Sequence, residues 1–421
     1  MNELIKRDLA VVWHPYTQMK TAALPIPIVK GEGVYLFTDT GEKYIDAVSS
    51  WWVNIHGHSH PYIAEKVFEQ LKKLEHVIFA GFTHPQAIIL AENLLSIIPK
   101  NQKKVFFSDN GSTAVEVALK MCLQFWANKG EKKTKILAFK NAYHGDTFGA
   151  MAVSGRSAFT APFDSLLFDV EFIDLPNKHN LEQLKSQISN LKTDLSCFIF
   201  EPLVQGASGM LMYDAKDLDE LILHCKRESV LTIADEVMTG FGRTGKLFAS
   251  DHLLNKADLM CFSKGLTGGT MPLGITTCQQ EIYDAFLSDD KLKTLFHGHS
   301  FTANPVACAA ANASFDLLIN PETLANIQRI EAKHKAFKSQ IENHPKLKDV
   351  RQTGTIIALE WNIDGTSYFN NIRDTLYNFF LDKGIILRPL GNILYIMPPY
   401  VITNNDLDYI YQNINLALET L

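Results

Sequence analysis

Long hydrophobic runs are missing from this chain. No apolar stretch approaches the ~20 residues needed to cross a bilayer, so no membrane span is expected. A basic excess is missing too: 40 Lys and Arg stand against 46 Asp and Glu, for a formal charge of −6. Nothing in that balance recommends nucleic acid as a partner. Paired cysteines are also absent. The six cysteines stand far apart, at 122, 197, 225, 261, 278 and 308, with no CxxC and no disulfide-scaffold spacing. Most lie within apolar stretches, which predicts buried reduced thiols. The opening MNELIKRDLA carries charge where an export signal would need an apolar segment. Together these absences predict a cytoplasmic globular enzyme.

What is present is a chain of 421 residues, 46% hydrophobic and 20% charged, long enough for two or three domains. Short apolar runs at 104–107, 135–139, 197–200, 231–234 and 259–262 alternate with helical patterns, notably 113–126 and 217–227. Nearly continuous apolar strands separated by helices predict a parallel sheet covered on both faces, hence α/β architecture. The ends read differently. Residues 27–46 suggest two strands around a turn at Asp39-Thr40-Gly41, and further strands are expected near 355–361 and 393–397. The expected division is a large central domain over 51–315 and a smaller α+β domain formed by 1–50 with 316–421.

In such sheets ligands bind beyond the carboxyl ends of the strands. The residues that follow the apolar runs are Ser108 to Ser112, Tyr143-His144, Glu201, Asp235-Glu236 and Lys264. Gly111-Ser112-Thr113 opens a helix, whose first amides and dipole suit an anion, although an ordinary N-cap reads the same way. Asp235 could pair with a protonated ring nitrogen or could cap a helix. Lys264, beside the glycine-rich GLTGGT, could lose its proton and attack an aldehyde, or could be a solvated loop lysine. Tyr143 could stack on a cofactor ring or pack in the core. Each signal is weak alone, but all four fall in order at strand ends.

Two other patterns point elsewhere. Gly240 to Gly245 reads GFGRTG and matches GxGxxG, the mark of a nicotinamide-dependent oxidoreductase, but EVMT separates it from the strand before it. His56, His58 and His60 alternate like a metal tract. With no neighbouring Cys or HExxH they predict a structural turn rather than a metal site.

LTIADEVMTGFGRTGKLFA followed by MCFSKGLTGG resembles the signature of class III aminotransferases, which are fold-type I pyridoxal-phosphate enzymes. The similarity extends through GHSHP, DNGSTAVEVALK, AYHGDTFGA, EPLVQGASGM and the Ala-Asn-Pro at 303–305. It implies pyridoxal 5'-phosphate held as a covalent aldimine on Lys264, with Asp235 at the ring nitrogen and Tyr143 against the ring. Gly111 and Ser112 would bind phosphate. Family members are homodimers with active sites at the interface, so Gly298, His299 and Ser300 would reach the neighbour's phosphate. Many members carry Gly-Pro-Thr at that place.

A narrower resemblance, to the branch of the family that works in biotin biosynthesis, rests on VWHPYTQM at 12–19, Trp51-Trp52 and LRPLGNILYIMPPY at 387–400. It implies that Tyr16 and Trp51 recognise substrate and that Arg388 holds the carboxylate of 8-amino-7-oxononanoate. The physics agrees, since an aliphatic chain favours aromatic walls and a carboxylate favours a guanidinium. The donor it implies is S-adenosylmethionine, although some relatives use lysine. Other class III enzymes take ornithine, acetylornithine or 4-aminobutyrate, shorter and more polar substrates. Arg243, within GFGRTG, is expected to position a substrate or an active-site carboxylate.

Overall fold

A computed structural model describes residues 2–363 and 371–421. The chain opens with an antiparallel meander of β1 (Ile28–Glu32), β2 (Tyr35–Thr38) and β3 (Lys43–Asp46). Seven strands then build the central sheet. They are β4 (Gln102–Ser108), β5 (Lys135–Phe139), β6 (Glu171–Ile173), β7 (Leu195–Phe200), β10 (Leu231–Asp235), β11 (Leu259–Phe262) and β12 (Gly274–Gln279). Between β7 and β10 lies a two-stranded ribbon of β8 (Val204–Gln205) and β9 (Leu211–Met212). The C-terminal part adds an antiparallel sheet of β13 (Leu347–Thr353), β14 (Ile356–Trp361) and β16 (Ile393–Ile396). The short β15 (Ile385–Ile386) joins β3 in parallel, so segments from the two ends of the chain share one sheet.

The central order is β4-β12-β11-β10-β7-β5-β6. Every strand runs the same way except β12, which is antiparallel to both neighbours. The apolar runs became strands because helices cover both faces; β7 and β11 are buried at every position. The helix Gly111–Asn128 buries Ala114, Val115, Val117, Ala118, Cys122 and Phe125 against that sheet.

The alternation of apolar runs does not announce β12 or β6. β12 reads GITTCQ, and two successive threonines look like a polar loop. They are buried because each hydroxyl has an acceptor: Thr276 donates to the Ala114 carbonyl at 2.7 Å and Thr277 to Gln102 Oε1 at 2.7 Å. All six cysteines are free and buried. Among the described residues no helix is long and apolar enough to cross a membrane.

Candidate active site

The carboxyl ends of β4, β5, β7, β10 and β11 meet around one cavity of about 670 Å³, within the usual size of a ligand site. Its lining includes Gly111, Ser112, Tyr143, His144, Glu201, Asp235 and Lys264. The residues picked out along the sequence at the strand ends thus converge in space.

Lys264 follows β11 by two residues and starts a 3-10 turn with a left-handed φ of 50°. A non-glycine residue is held in that region only when its surroundings demand it. Nζ lies 4.8 Å from the centre of the Trp52 ring. Burial drives its pKa down to about 8 against the opposing charges of Asp235 and Glu201, while Arg243 adds to the depression. A lysine in this state supplies a neutral amine far more readily than a surface lysine.

The anion cradle is built from the backbone. Asn110 caps the helix Gly111–Asn128, taking the Thr113 amide on Oδ1 at 3.0 Å, which leaves the amides of Gly111 and Ser112 without intrahelical acceptors. A Cβ on Gly111 would come within 2.7 Å of Val237, and one on Gly145 (φ 136°) within 1.9 Å of Ser112 Oγ. Ser112 Oγ accepts the Asp146 amide at 3.1 Å, which ties the loop after β5 to this turn.

Asp235 ends β10 with both oxygens engaged. Oδ2 faces His144 Nδ1 at 2.7 Å, and Oδ1 accepts the Val237 amide at 3.0 Å. His144 Nε2 is buried and has no hydrogen-bond partner among the described residues. Glu201 accepts the amides of Tyr143 and Gly206, each at 3.0 Å. Burial lifts its pKa to about 7, countered by the nearby His144 and the two amides. Tyr143 is pushed well up by burial and by the neighbouring Asp146 and Tyr16. Glu236 turns away from the cavity and caps the following loop through the amides of Ala249 and Ser250.

Beside the cavity stands an aromatic cluster. Tyr16 donates its hydroxyl to the cavity residue Asp146 at 2.6 Å and meets Trp51 edge-on with ring centres 5.7 Å apart. The Arg388 guanidinium lies over the same Trp51 ring at 4.2 Å. The tandem tryptophans therefore divide. Trp52 is buried, lines the cavity and donates its indole N–H to the Tyr395 hydroxyl at 2.9 Å, whereas Trp51 remains 39% exposed.

Gly298, His299 and Ser300 lie outside this chain's own cavity. His299 Nδ1 sits 3.3 Å from Asp109 and its Nε2 3.0 Å from that of His297. Arg243 departs from the expectation that it positions an active-site carboxylate: it makes no ion pair among the described residues. It is buried and donates to the main-chain carbonyls of Pro398, Trp52 and Asn54, at 2.9, 3.4 and 3.2 Å. It braces backbone under the site. The three alternating histidines do not meet as one group: the His56 and His60 rings lie edge-on with centres 6.4 Å apart, while His58 turns elsewhere. His56 faces the carbonyl and hydroxyl of Ser314 at 3.1 Å and burial lowers its pKa to about 3, whereas His58 faces Asp46. No metal-holding cluster of His, Cys, Asp or Glu occurs among the described residues. Asp146 is one of the cavity residues that strand-end reasoning missed; its position three residues after Tyr143 was the available signal.

A helix N-terminus suits a phosphate, a buried carboxylate suits a protonated ring nitrogen, and an enclosed, readily neutralised amine suits an aldehyde. Pyridoxal phosphate carries all three groups on one small ring, so the residues present fit it and define a pyridoxal-phosphate-dependent enzyme. The comparisons agree. The family described as Aminotransferase class-III matches residues 16–418, and the chain belongs to that family of pyridoxal-phosphate-dependent aminotransferases. An adenosylmethionine-8-amino-7-oxononanoate aminotransferase of Synechococcus elongatus is 46% identical, over 97% of this chain and 99% of that one. The crystal structure of the enzyme of that name from Methanocaldococcus jannaschii superposes with a TM-score of 0.95 at 36% identity, covering 99% of this chain and 98% of that one. An amine transaminase from an uncultivated Pseudomonas species, in its cofactor-bound form, gives 0.91 at 30% identity, covering 97% and 98%.

Proposed function

We propose that this chain aminates the ketone of 8-amino-7-oxononanoate to give 7,8-diaminononanoate in biotin biosynthesis, with S-adenosylmethionine as donor. The observation that carries the substrate is the stack of Arg388 on Trp51 at 4.2 Å beside Tyr16. It offers a guanidinium for a carboxylate at the end of an aromatic wall suited to an aliphatic chain. The names of the relatives point the same way.

Pyridoxal phosphate, when bound, supplies an aldehyde that condenses with amines and a ring that accepts the electrons of a broken Cα–H bond. Lys264 would join that aldehyde covalently, and its amine, when free, would take the donor's α-proton as general base. Asp235 would hold a proton on the ring nitrogen, with His144 donating Nδ1–H to the carboxylate. The amides of Gly111 and Ser112 would cradle the phosphate, and Tyr143 would lie against the ring. In each half-reaction Lys264 would carry one proton between two carbons, from the donor to the cofactor in the first and from the cofactor to the acceptor's former ketone carbon in the second. The same reading makes the protein a cytoplasmic homodimer in which Gly298, His299 and Ser300 serve the neighbour's phosphate. Its large domain is 51–315 and its smaller one 1–50 with 316–421.

The test uses enzyme loaded with the amino form of the cofactor. Return of the aldehyde-form absorption on adding 8-amino-7-oxononanoate, but not succinic semialdehyde or glutamate semialdehyde, supports the assignment. Return with a semialdehyde alone refutes the substrate.

A further inference from the structure

The segment carrying the two tryptophans has a contorted backbone. Ser49, Ser50 and Trp52 take left-handed φ values of 53°, 59° and 68°. Trp51, between Ser50 and Trp52, takes φ −140° and ψ 60°. Three such conformations within four residues persist only where the surroundings impose them.

The imposing group is Asp46, whose side chain is fully buried. Its Oδ1 accepts the Val48 amide at 3.2 Å. Its Oδ2 accepts the Ser50 amide at 2.6 Å, the Ser50 hydroxyl at 3.2 Å and the Nε2–H of His58 at 2.9 Å. A carboxylate only accepts, so His58 carries its proton on Nε2 and presents Nδ1 to the Asn54 amide group at 3.3 Å. Asn54 Oδ1 in turn accepts the Gly57 amide at 2.7 Å, which closes a ring of bonds from residue 46 to residue 58. His58 is anchored independently: its main chain pairs with Gly33 in both directions at 2.7 and 3.2 Å. A Cβ on Gly31 would lie 2.6 Å from that of His58, so the ring packs directly on β1.

We propose that Asp46 and His58 are a positioning pair for the transamination, setting the strained turn that sends Trp51 toward Tyr16 and Arg388 and Trp52 toward Lys264. Neither residue touches the cavity. They act through the turn, because releasing Ser50 removes what holds its left-handed φ and lets Trp51 leave the Arg388 guanidinium. The alternating histidine tract then has its use: its middle member is the clamp. The inference rests on the reading of Trp51 and Arg388 as the seat of the acceptor.

The test is single-turnover amination of 8-amino-7-oxononanoate by loaded enzyme, run beside thermal unfolding and the absorption spectrum of the bound cofactor. Asp46→Asn keeps the shape but turns a donor toward groups that need an acceptor. His58→Ala removes one arm of the clamp, and His58→Gln restores a donor near the Nε2 position. The expected result for Asp46→Asn and His58→Ala is a rise of about tenfold in half-saturation by the ketone. The limiting rate should stay within about threefold and the cofactor spectrum unchanged, with recovery in His58→Gln. A lower melting temperature with unchanged half-saturation overturns the positioning role, as does failure of His58→Gln to recover. Trp51→Ala separates the two readings. If it raises half-saturation while Asp46→Asn and His58→Ala do not, the pair is only structural. If Trp51→Ala also leaves half-saturation unchanged, the proposed acceptor seat itself is wrong.

Discussion

Oδ2 of Asp235 lies 2.7 Å from Nδ1 of His144, and both side chains are buried beneath the cavity. The carboxylate can only accept, so the imidazole donates through Nδ1. The negative charge is thus held in place by a neighbour and a backbone amide, facing the space a cofactor ring would fill. Asp235→Asn removes the charge and preserves the shape. It should slow α-proton abstraction by at least about a hundredfold in a stopped-flow half-reaction. An unchanged rate would falsify the role given to Asp235.

How much of this was legible in the sequence depended on the kind of signal. Asp235 and Lys264 could be found because parallel strands read as unbroken apolar runs, and function sits just after them. β12 could not, because Thr276 and Thr277 look polar until their buried acceptors are known. Arg243 misled for a related reason. A conspicuous charge next to the site suggests substrate, yet its partners are carbonyls from residues 52, 54 and 398, which no local pattern connects to it. Asp46 and His58 gave no hint of partnership either, since a contact between a polar side chain at a strand end and another in a later turn leaves no periodicity.

Lys264 carries the central claim. Reduction of the native enzyme with borohydride, followed by digestion, should place the cofactor mass on the peptide containing Lys264. Lys264→Ala should fold and yet lose turnover altogether. Retention of even about a tenth of the wild-type rate would remove the lysine from the chemistry.

Arg388 should matter to one substrate and not the other. A charge-assisted pair contributes about 1.5–3 kcal/mol, so Arg388→Ala should raise half-saturation by the keto acid roughly ten- to a hundredfold. The half-reaction with the amino donor should keep its half-saturation. Equal damage to both would mean that Arg388 supports the wall rather than receives a carboxylate.

Glu201 links the site to pH. Burial raises its pKa from 4.5 to about 7, so between these values the folded protein keeps a proton that the unfolded chain releases. The unfolded state then binds fewer protons, and stability declines as pH rises through that window. Melting of cofactor-free enzyme should show this decline between about pH 5 and pH 7, and Glu201→Gln should flatten it. An identical slope in the variant would shift the cause to another group.

The segment at 298–300 allows a test of assembly that needs no structure of a dimer. His299 leans on Asp109 of its own chain, yet neither Gly298, His299 nor Ser300 lines its own cavity. If this segment serves the neighbour's phosphate, Ser300→Asp should weaken cofactor binding by placing a negative charge against an anion. That damage should appear in the partner's site rather than its own. Mixing Ser300→Asp with Lys264→Ala subunits then produces hybrid dimers. In one of their two sites an intact Lys264 meets an intact Ser300 from the other chain. Random exchange in a two-fold dimer makes half the dimers hybrids, so activity should return to about a quarter of wild type from two inactive parents. If the segment instead served its own chain, each chain would carry one fatal defect and mixing would restore nothing.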